Sequence, residues 1–353
     1  MDRILIIKTG ALGDVLRTTA IVPGLKQKHP GSHVTWVTAP AAIDLVRHHP
    51  GVDDLVAMDA ADATSVEKAT DRLQSITWDR VISLDDEPAP CRLARQVAPV
   101  ERISGGWETP DGSLTYTADT EPWFGMGLLS RAGKKVADRR KAANRRSHPD
   151  ILCSMLGVTS ARPELPAVAL TPSGDTRVEE LRQMAGSPRI GLNTGAGGRW
   201  PSKELPEERV VTLVEELESS IGKDAVYLLL GGPEERDRNA RLAAALSDAS
   251  AQVVNAGTDH PVMEFAAIVS TCDLLVTSDS LAMHIAIARQ VPTVAFFAPT
   301  SPHEIDLFGC GEKVVSTGED ACSYRADADT SSLTAGRIAR AAERVLSAVP
   351  LDD

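Results

Sequence analysis

Short apolar runs alternate with amphipathic segments along the first part of the chain. Four consecutive apolar residues, Ile4 to Ile7, predict a buried strand. Gly10 and Gly13 then mark a tight turn, and the amphipathic segment from Val15 to Lys26 predicts a helix. Further strands are predicted at residues 34–38, 54–58 and 78–84, with helical segments between them. Strands that alternate with helices at this spacing indicate a parallel α/β sheet.

The same alternation begins again in the second half of the chain. Glycine-rich and proline-containing turns interrupt it between residues 101 and 149, and residues 154–170 predict the passage into a second unit. Further strands are predicted at residues 189–194, 225–230, 253–255, 274–277 and 293–297, and a closing helix at 331–347. A chain of 353 residues also exceeds the size at which one hydrophobic core usually keeps growing. We therefore expect one α/β domain at 1–170, a second at 171–330 and a C-terminal helix in 331–353.

The composition is that of an ordinary globular protein and argues against several classes of function. Apolar residues make up 42% of the chain and charged residues 24%. The net charge of −12 argues against nucleic acid as a general partner, since phosphate binding draws on clustered Lys and Arg. Neither a signal-peptide pattern nor an apolar run of about 18 residues occurs, which favours a cytoplasmic protein. The five cysteines lack C-x-x-C spacing, which favours buried thiols over disulfides or a zinc site.

One segment reverses the acidic balance of the chain. Residues 131–146 contain eight basic residues and one acidic residue. A segment of this kind either attracts an anionic partner or is a solvated helix face. The sequence leaves both interpretations open.

Asp14 lies at the junction between the first predicted strand and the first predicted helix. In an open parallel sheet this is the carboxyl end of a strand, where such sheets bind their ligands. The alternative is that Asp14 only caps the helix, because a side-chain oxygen at that place accepts a hydrogen bond from an unpaired backbone N–H. Taken alone, this stretch does not separate the two roles.

A loop with several glycines follows the strand predicted at 189–194. It runs from Gly195 to Lys203 and carries the cations Arg199 and Lys203. Glycines let backbone N–H groups approach an anion closely, and a nearby helix N-terminus adds favourable partial charge, so phosphate is the natural ligand. The loop lacks the Gly-Lys-Ser/Thr spacing of a Walker A motif, and a plain flexible loop explains its glycines equally well.

Acidic and short polar residues follow two other predicted strands of the second half. Glu234 and Glu235 lie where acids commonly stabilise a helix start, although a carboxylate at that place in a nucleotide site also accepts ribose hydroxyls. The spacing of Asp279, Ser280 and His284 brings them near one another. The alternative is that Asp279 or Ser280 caps a helix while His284 is a buried core histidine. These residues suit phosphate and ribose, and no recognisable metal-binding motif occurs.

Four blocks of the sequence, in this order, resemble glycosyltransferase family 9, the ADP-heptose:lipopolysaccharide heptosyltransferases and their relatives. The blocks are Lys8 to Thr19 (KTGALGDVLRTT), Asn193 to Pro206, Leu229 to Glu235 (LLGGPEE) and Thr277 to Pro299. The resemblance implies a GT-B fold, in which two Rossmann-like α/β domains face each other across a cleft and the last helix packs back on the N-terminal domain. It also implies that the N-terminal domain receives the acceptor and the C-terminal domain holds the nucleotide sugar.

The functional positions of the family carry over onto matching residues of this sequence. The general base of the Gly-Asp motif corresponds to Asp14, which favours catalysis over simple capping. The phosphate-binding lysine corresponds to Lys203, and the ribose-binding glutamate corresponds to Glu235 with Glu234 as the alternative. The other predicted donor-binding residues are Thr194, Gly195, Asp279, Ser280 and His284, and the predicted acceptor-binding residues are Lys8, Gly13 and Arg17.

Two positions depart from the pattern of the family. Leu281 stands where the family has a glycine whose backbone approaches the donor, and Leu205 stands where the family has a tryptophan. Because a side chain replaces a close backbone approach, Leu281 leaves the donor sugar and the level of activity open.

The resemblance implies an inverting, metal-independent transfer of a heptose from ADP-heptose to a hydroxyl of a glycan or glycolipid acceptor. No cofactor is expected beyond this nucleotide-sugar co-substrate, and no nucleic acid is expected as a partner. We expect a cytoplasmic enzyme that makes peripheral contact with the inner membrane. Two alternatives stay open: a family member with another nucleotide sugar and a soluble metabolite or protein acceptor, and a GT-B-like nucleotide-binding protein without transfer activity.

Overall fold

The structure of the chain, a computed structural model, describes residues 1–198, 200–249 and 251–348. It divides into two compact units, one from Met1 to Pro166 and one from Ala167 onward. Arg199 of the predicted anion-binding loop lies outside the described residues, as does the end of the predicted 331–353 segment.

The first unit is built on a six-stranded sheet within residues 1–166. Its strands are β1 (Arg3–Ile7), β2 (His33–Thr38), β3 (Asp54–Ala57), β4 (Arg80–Ser83), β5 (Ile103–Glu108) and β6 (Leu114–Tyr116). Their order is β3-β2-β1-β4-β5-β6, and all pairs are parallel except β5 with β6. The apolar run Ile4 to Ile7 makes β1 a central strand that is buried on both faces. This strand order is that of a Rossmann fold.

The helices of the first unit differ from the prediction near the N-terminus, where one predicted helix is replaced by two. They are α1 (Leu12–Thr18), α2 (Val22–Lys28), α3 (Ile43–Val46), α4 (Ala63–Gln74), α5 (Pro88–Val97), α6 (Glu121–Phe124), α7 (Lys134–Ala143) and α8 (His148–Leu156). The single helix predicted from Val15 to Lys26 is divided into α1 and α2 by a 3-10 turn at Thr19–Ile21. Pro23 explains the division, since its nitrogen has no hydrogen to donate to the preceding turn.

Residues 101–149, which were predicted to break the α/β pattern, extend the first sheet with β5 and β6. Gly105 and Gly106 resemble a turn in the sequence but lie inside β5. A Cβ atom at Gly105 would overlap the backbone of Ser83 in β4, so the glycine permits this close approach. The prediction of an irregular segment is therefore wrong at these two strands.

The second unit repeats the strand order of the first. Its described residues form a six-stranded sheet of β7 (Arg189–Asn193), β8 (Val226–Leu229), β9 (Gln252–Asn255), β10 (Leu274–Ser278), β11 (Thr293–Phe297) and β12 (Gly311–Val315). The order is β12-β11-β10-β7-β8-β9, with all neighbours parallel. Counted from β7, this is again the Rossmann order. The expectation of two Rossmann-like α/β domains is confirmed.

The last helix packs differently from the expectation. The helices of the second unit are α9 (Pro172–Gln183), α10 (Glu207–Ile221), α11 (Arg236–Asp248), α12 (Val262–Val269), α13 (Leu281–Arg289) and α14 (Ala335–Ala348). We expected the closing helix to pack on the N-terminal domain. Instead, α14 buries Ile338, Ala342 and Val345 in the hydrophobic core that the second sheet shares with α10. These residues line one helical face, and the core of the second unit covers it.

The structure also bears on disulfides and membrane spans. All five cysteines are free thiols, and Cys91, Cys153 and Cys272 are buried as expected. Cys310 and Cys322 are only half-buried, because Cys310 directly precedes the edge strand β12 and Cys322 lies in an irregular segment. Within the described part of the chain, no helix combines the length and the apolar character needed to cross a bilayer.

Candidate functional site

Each sheet has one place where its strand order reverses. The first switch point lies between β1 and β4, and the second lies between β7 and β10. Connections leave the carboxyl ends of such strand pairs in opposite directions, which opens the crevice where open α/β sheets bind ligands. The predicted acceptor residues follow β1, and most of the predicted donor residues follow β7 or β10.

Asp14 lies in the first turn of α1, after Gly13 and close to the end of β1. The N-cap residue of α1 is Ala11, so Asp14 does not occupy the N-cap position. Arg17 Nη2 lies 2.8 Å from Asp14 Oδ1, and the Asp14 side chain stays 38% exposed. A carboxylate with this exposure can accept a proton from an incoming hydroxyl. Its role as the general base stays a prediction.

Arg17 connects Asp14 to an aromatic contact that the sequence analysis missed. The guanidinium carbon of Arg17 lies 5.8 Å from the centroid of the Trp123 ring. That ring meets His148 edge-on at a centroid distance of 4.8 Å. Trp123 belongs to α6 and His148 begins α8, so residues of three helices meet beside Asp14. The sequence offers only an isolated tryptophan in an irregular segment as a signal.

A buried ion pair between Lys8 and Asp85 lies at the first switch point. The two charged groups lie 2.5 Å apart, and the side chains are 11% and 6% exposed. Asp85 also accepts hydrogen bonds from the backbone N–H and the hydroxyl of Thr9, at 2.6 and 2.8 Å. The pair therefore ties the end of β1 to the end of β4. Lys8 stays a predicted acceptor residue, while Asp85 was missed although it follows a predicted strand.

The neighbourhood of Asp85 is electronegative. The Cys91 thiol donates a hydrogen bond to the backbone oxygen of Asp85 at 3.5 Å. Burial, followed by the charges of Asp85 and Asp86, raises the pKa of Cys91 to about 12. Cys91 is therefore a neutral thiol near pH 7 and not a nucleophile.

The second switch point brings together three of the predicted donor residues. The Lys203 ammonium donates to Asp279 Oδ2 at 3.0 Å and to the Asp279 backbone oxygen at 2.9 Å. The other carboxylate oxygen of Asp279 lies 3.7 Å from His284 Nε2. Lys203 also lies 5.7 Å from the centroid of the Trp200 ring. The side chains of Lys203 and Asp279 are 17% and 19% exposed, so this ion pair is reachable from solvent.

Hydrogen bonds hold Thr194 and Ser280 at the ends of β7 and β10. Asn193 Nδ2 donates to the hydroxyl oxygens of Thr277 and Ser280, both at 3.2 Å. Arg238 Nη1 donates to the Thr194 hydroxyl oxygen at 2.9 Å. Ser280 is the N-cap residue of α13, yet its side chain makes no cap hydrogen bond. The capping alternative is therefore wrong for the Ser280 hydroxyl, and the N-terminus of α13 retains backbone donors suited to an anion.

Glu235 joins two glycine loops of the second unit. Its Oε1 accepts a hydrogen bond from the Gly197 N–H at 2.6 Å, and its Oε2 accepts one from the Gly232 N–H at 2.8 Å. A Cβ atom at Gly195 would overlap the Glu235 side chain, so the loop needs glycine there. Glu235 is only 6% exposed, whereas Glu234 is exposed. The ribose contact predicted for Glu235, or for Glu234, stays a prediction.

A cavity of about 580 Å³ adjoins Glu235 in the second unit. Its lining includes Glu234 and Arg238 and also residues 326–328, which the sequence analysis missed. Ser202 holds this segment by donating from its N–H to the Ala326 oxygen and from its hydroxyl to the Arg325 oxygen, both at 3.1 Å. The volume is in the usual range for a small-molecule site. Among the described residues, no cluster of three or more His, Cys, Asp and Glu side chains could hold a metal ion.

Comparison with known proteins identifies the family. Residues 124–332, more than half of the chain, match the family described as Glycosyltransferase family 9 (heptosyltransferase). The chain belongs to glycosyltransferase family 9. The resemblance drawn from four sequence blocks and the expectation of a glycosyltransferase are both confirmed.

Two curated relatives are similar to this family 9 glycosyltransferase. Lipopolysaccharide heptosyltransferase 2 of Salmonella typhimurium is 28% identical over 154 residues, which are 41% of this chain and 43% of the relative. Lipopolysaccharide heptosyltransferase 1 of Pseudomonas aeruginosa is 25% identical over 319 residues, which are 87% of this chain and 81% of the relative. The first of these matches spans less than half of the relative.

Two solved structures share the fold. The family 9 glycosyltransferase from Veillonella parvula DSM 2008 has a TM-score of 0.74 at 19% identity and covers 99% of both chains. An E. coli heptosyltransferase solved with ADP-2-deoxy-2-fluoro heptose has a TM-score of 0.62 at 19% identity, over 97% of this chain and 99% of that one. At these identities the likeness shows the fold alone.

The two departures from the family pattern have different surroundings. Leu205 is fully buried in the core of the second unit, and its N–H donates to the Thr194 oxygen at 2.9 Å. It is therefore accommodated as a core residue. Leu281 is the first residue of α13 and is half-buried, next to Ser280. The effect of Leu281 on donor choice stays a prediction.

Proposed function

We propose that this family 9 enzyme is an inverting, metal-independent glycosyltransferase that moves a heptose from ADP-heptose to a hydroxyl of a glycan or glycolipid acceptor in lipopolysaccharide assembly. The observation that carries the proposal is the Lys203–Asp279 pair at the second switch point. It lies close to the N-terminus of α13, whose N-cap side chain makes no cap hydrogen bond. A cation beside a helix N-terminus suits the diphosphate of a nucleotide sugar.

Lys203 supplies the positive charge for the departing diphosphate. An ammonium group has three N–H donors, and in the described structure two of them reach Asp279. The third can bind a phosphate oxygen, and backbone N–H groups at the start of α13 add further donors. These groups are in place before the reaction, so they stabilise the charge that develops as ADP leaves. With this stabilisation the proposed transfer needs no divalent ion.

Asp14 is the proposed general base. As the acceptor oxygen attacks the anomeric carbon, Asp14 takes the hydroxyl proton and a new C–O bond forms. The bond to the diphosphate breaks on the opposite face, and ADP leaves with its electron pair, so the anomeric configuration is inverted. Arg17 holds the Asp14 carboxylate in position, and Lys8, Gly13 and Arg17 are proposed to face the acceptor.

The names of the relatives support the substrate classes, and Leu281 supports a second candidate. Two relatives are named lipopolysaccharide heptosyltransferases, and one structural neighbour was solved with an ADP-heptose analogue. The side chain of Leu281 stands where the family brings backbone close to the donor. The second candidate is therefore transfer from another nucleotide sugar to a soluble acceptor. For both candidates we propose a cytoplasmic enzyme. For the heptosyltransferase with a glycan or glycolipid acceptor we also propose peripheral contact with the inner membrane.

A donor panel tests this proposal. Purified protein is incubated with ADP-heptose and with other ADP-, UDP- and GDP-sugars, with and without a heptose-deficient lipopolysaccharide core, while nucleotide release is followed. We expect release from ADP-heptose that requires the acceptor and persists in EDTA, and a product with inverted anomeric configuration by NMR. Release from a different sugar would establish the second candidate. Nucleotide binding without release from any donor would contradict glycosyl transfer.

A further inference from the structure

We propose that α7 and the turns before it form a docking surface for an anionic lipid bilayer. The surface is defined by Leu128, Lys135 and Arg139. It deepens the peripheral membrane contact proposed above by naming the partner and the residues that meet it. The biological role of this surface rests on the proposed glycolipid acceptor. The test below measures membrane binding and not sugar transfer, so its outcome is independent of the proposed activity.

The charge of the segment selects an anionic partner. Residues 131–146 carry eight basic residues and one acidic residue in a chain with a net charge of −12. The segment is therefore a local positive patch on a negative protein. Such a patch attracts anionic surfaces and leaves the rest of the molecule repelled by them.

Two exposed cations of α7 have no side-chain partner among the described residues, whereas the exposed Lys134 pairs with Asp138. The side chains of Lys135 and Arg139 are exposed and form no hydrogen bond or ion pair with any residue that the structure describes. They are four positions apart and so share one helical face. The helix is attached through its opposite face, where Ala137 is buried and Arg140 Nη1 lies 2.6 Å from Glu121 Oε1. This orientation leaves Lys135 and Arg139 available to phosphate groups of a membrane.

Leu128 distinguishes a bilayer from other anionic partners. Of the large hydrophobic side chains in the described residues, only Met1 and Leu128 are strongly exposed, and Leu128 is 88% exposed. Two consecutive turns join it to α7, with hydrogen bonds from the Ser130 N–H to the Gly127 oxygen and from the Gly133 N–H to the Ser130 oxygen. A membrane offers phosphates above an apolar layer, which matches an exposed leucine that is followed in the chain, after two turns, by exposed cations. A solvated helix face accounts for the cations but not for Leu128.

Vesicle binding tests the proposal. The full chain is sedimented with vesicles of phosphatidylcholine mixed with phosphatidylglycerol and with vesicles of phosphatidylcholine alone. We expect binding to the anionic vesicles that weakens with salt, and much weaker binding to the neutral ones. Absence of binding to anionic vesicles, or equal binding to both kinds, would overturn the proposal.

Three variants assign the binding to the surface. Lys135→Glu/Arg139→Glu should lower the partition constant by about 30-fold or more, since each basic residue near an anionic membrane contributes about fivefold. Leu128→Ser should lower it by about tenfold, because an apolar side chain no longer enters the bilayer. Lys68→Glu/Lys223→Glu makes the same change in net charge at two exposed lysines elsewhere and should change binding little.

The controls separate docking from trivial explanations. An equal loss in Lys68→Glu/Lys223→Glu would mean that total charge, and not this surface, governs binding. Unchanged binding of Leu128→Ser would replace the bilayer with a soluble polyanion as the partner and so overturn the proposal. Each variant is compared with the wild type by thermal unfolding, and Lys135→Gln/Arg139→Gln replaces the charge reversal if that variant is destabilised.

Discussion

The two units share one strand order, but the ion pairs at their switch points differ in burial. In the first, Lys8 and Asp85 are at most 11% exposed, and Asp85 also binds Thr9. In the second, Lys203 and Asp279 are 17% and 19% exposed, and Asp279 also faces His284. The same pair of charged groups is therefore buried between two strands in one unit and more exposed to solvent in the other. Burial, and not charge, distinguishes the two pairs.

The difference has an energetic basis. Removing one partner of a buried ion pair leaves an uncompensated charge, which is strongly destabilising. A more exposed pair can exchange an internal partner for a ligand phosphate at a smaller desolvation cost. The first unit consequently places its proposed chemistry on Asp14, which is 38% exposed. The second places it on the ion pair itself.

Replacement of Asp14 tests whether this residue carries the chemistry of the first unit. Asp14→Asn keeps the shape of the side chain but removes its capacity to accept a proton, so turnover should fall by about 10²- to 10⁴-fold. Affinity for ADP should stay within twofold, because the residues proposed to bind the nucleotide all belong to the second unit. Nucleotide release and calorimetric ADP binding measure the two quantities. Wild-type turnover in this variant would remove Asp14 from the mechanism.

The next effect compares the two lysines directly. Lys8→Met should destabilise the first unit by about 3–5 kcal/mol, because it leaves Asp85 charged and buried without its partner. Lys203→Met should change stability much less and should instead weaken ADP binding. Urea unfolding and calorimetry measure the pair of variants. The double variant Lys8→Met/Asp85→Asn should recover part of the lost stability. Similar stability of Lys8→Met and Lys203→Met would show that the two ion pairs do not differ in their contribution to folding.

A third effect concerns acid stability of the first unit. Burial lowers the pKa of His49 from 6.5 to about 4, although Glu164 lies 4.0 Å away. The unfolded chain binds a proton at this residue near pH 6.5, while the folded chain binds it only near pH 4. Stability should therefore fall as pH decreases through this window, by up to about 3 kcal/mol.

Two variants check this pH dependence. His49→Gln keeps an acceptor for the Gly51 N–H, which His49 Nδ1 binds at 3.1 Å, and should flatten the decline. His48→Gln, at the exposed neighbouring position, is the matched control and should decline like the wild type. Urea unfolding at pH 7 and pH 4.5 provides the free energies. A decline that persists unchanged in His49→Gln would assign it to other groups.

Smaller changes are expected from variants that distinguish the roles of the adjacent residues Glu234 and Glu235. Glu235→Gln replaces one acceptor of a backbone N–H by an amide group and should cost about 1–3 kcal/mol of stability, with weaker ADP binding as the glycine loops separate. Glu234→Gln should leave stability unchanged because Glu234 is exposed. Thermal unfolding and ADP titration distinguish them. A loss of ADP affinity confined to Glu234→Gln would move the ribose contact to Glu234.

Much of the fold and of the second site could be predicted from local pattern. The spacing of apolar runs predicts two α/β domains, and Lys203, Asp279 and Ser280 follow predicted strands, where such sheets bind ligands. The structure brings these three residues to one switch point. The failures lie where local pattern misleads. Glycines inside β5 looked like a turn, because the close strand contact that requires Gly105 involves a distant part of the chain.

The pattern of apolar and polar residues alone is enough to predict the period of the elements and the residues that end them. Packing of the folded chain, by contrast, brings Lys8 to Asp85, 77 residues away, places α14 over the core of its own unit, and leaves Leu128 exposed. Periodicity reports which face of an element is apolar, but partners and burial depend on strand order and on which surfaces pack together.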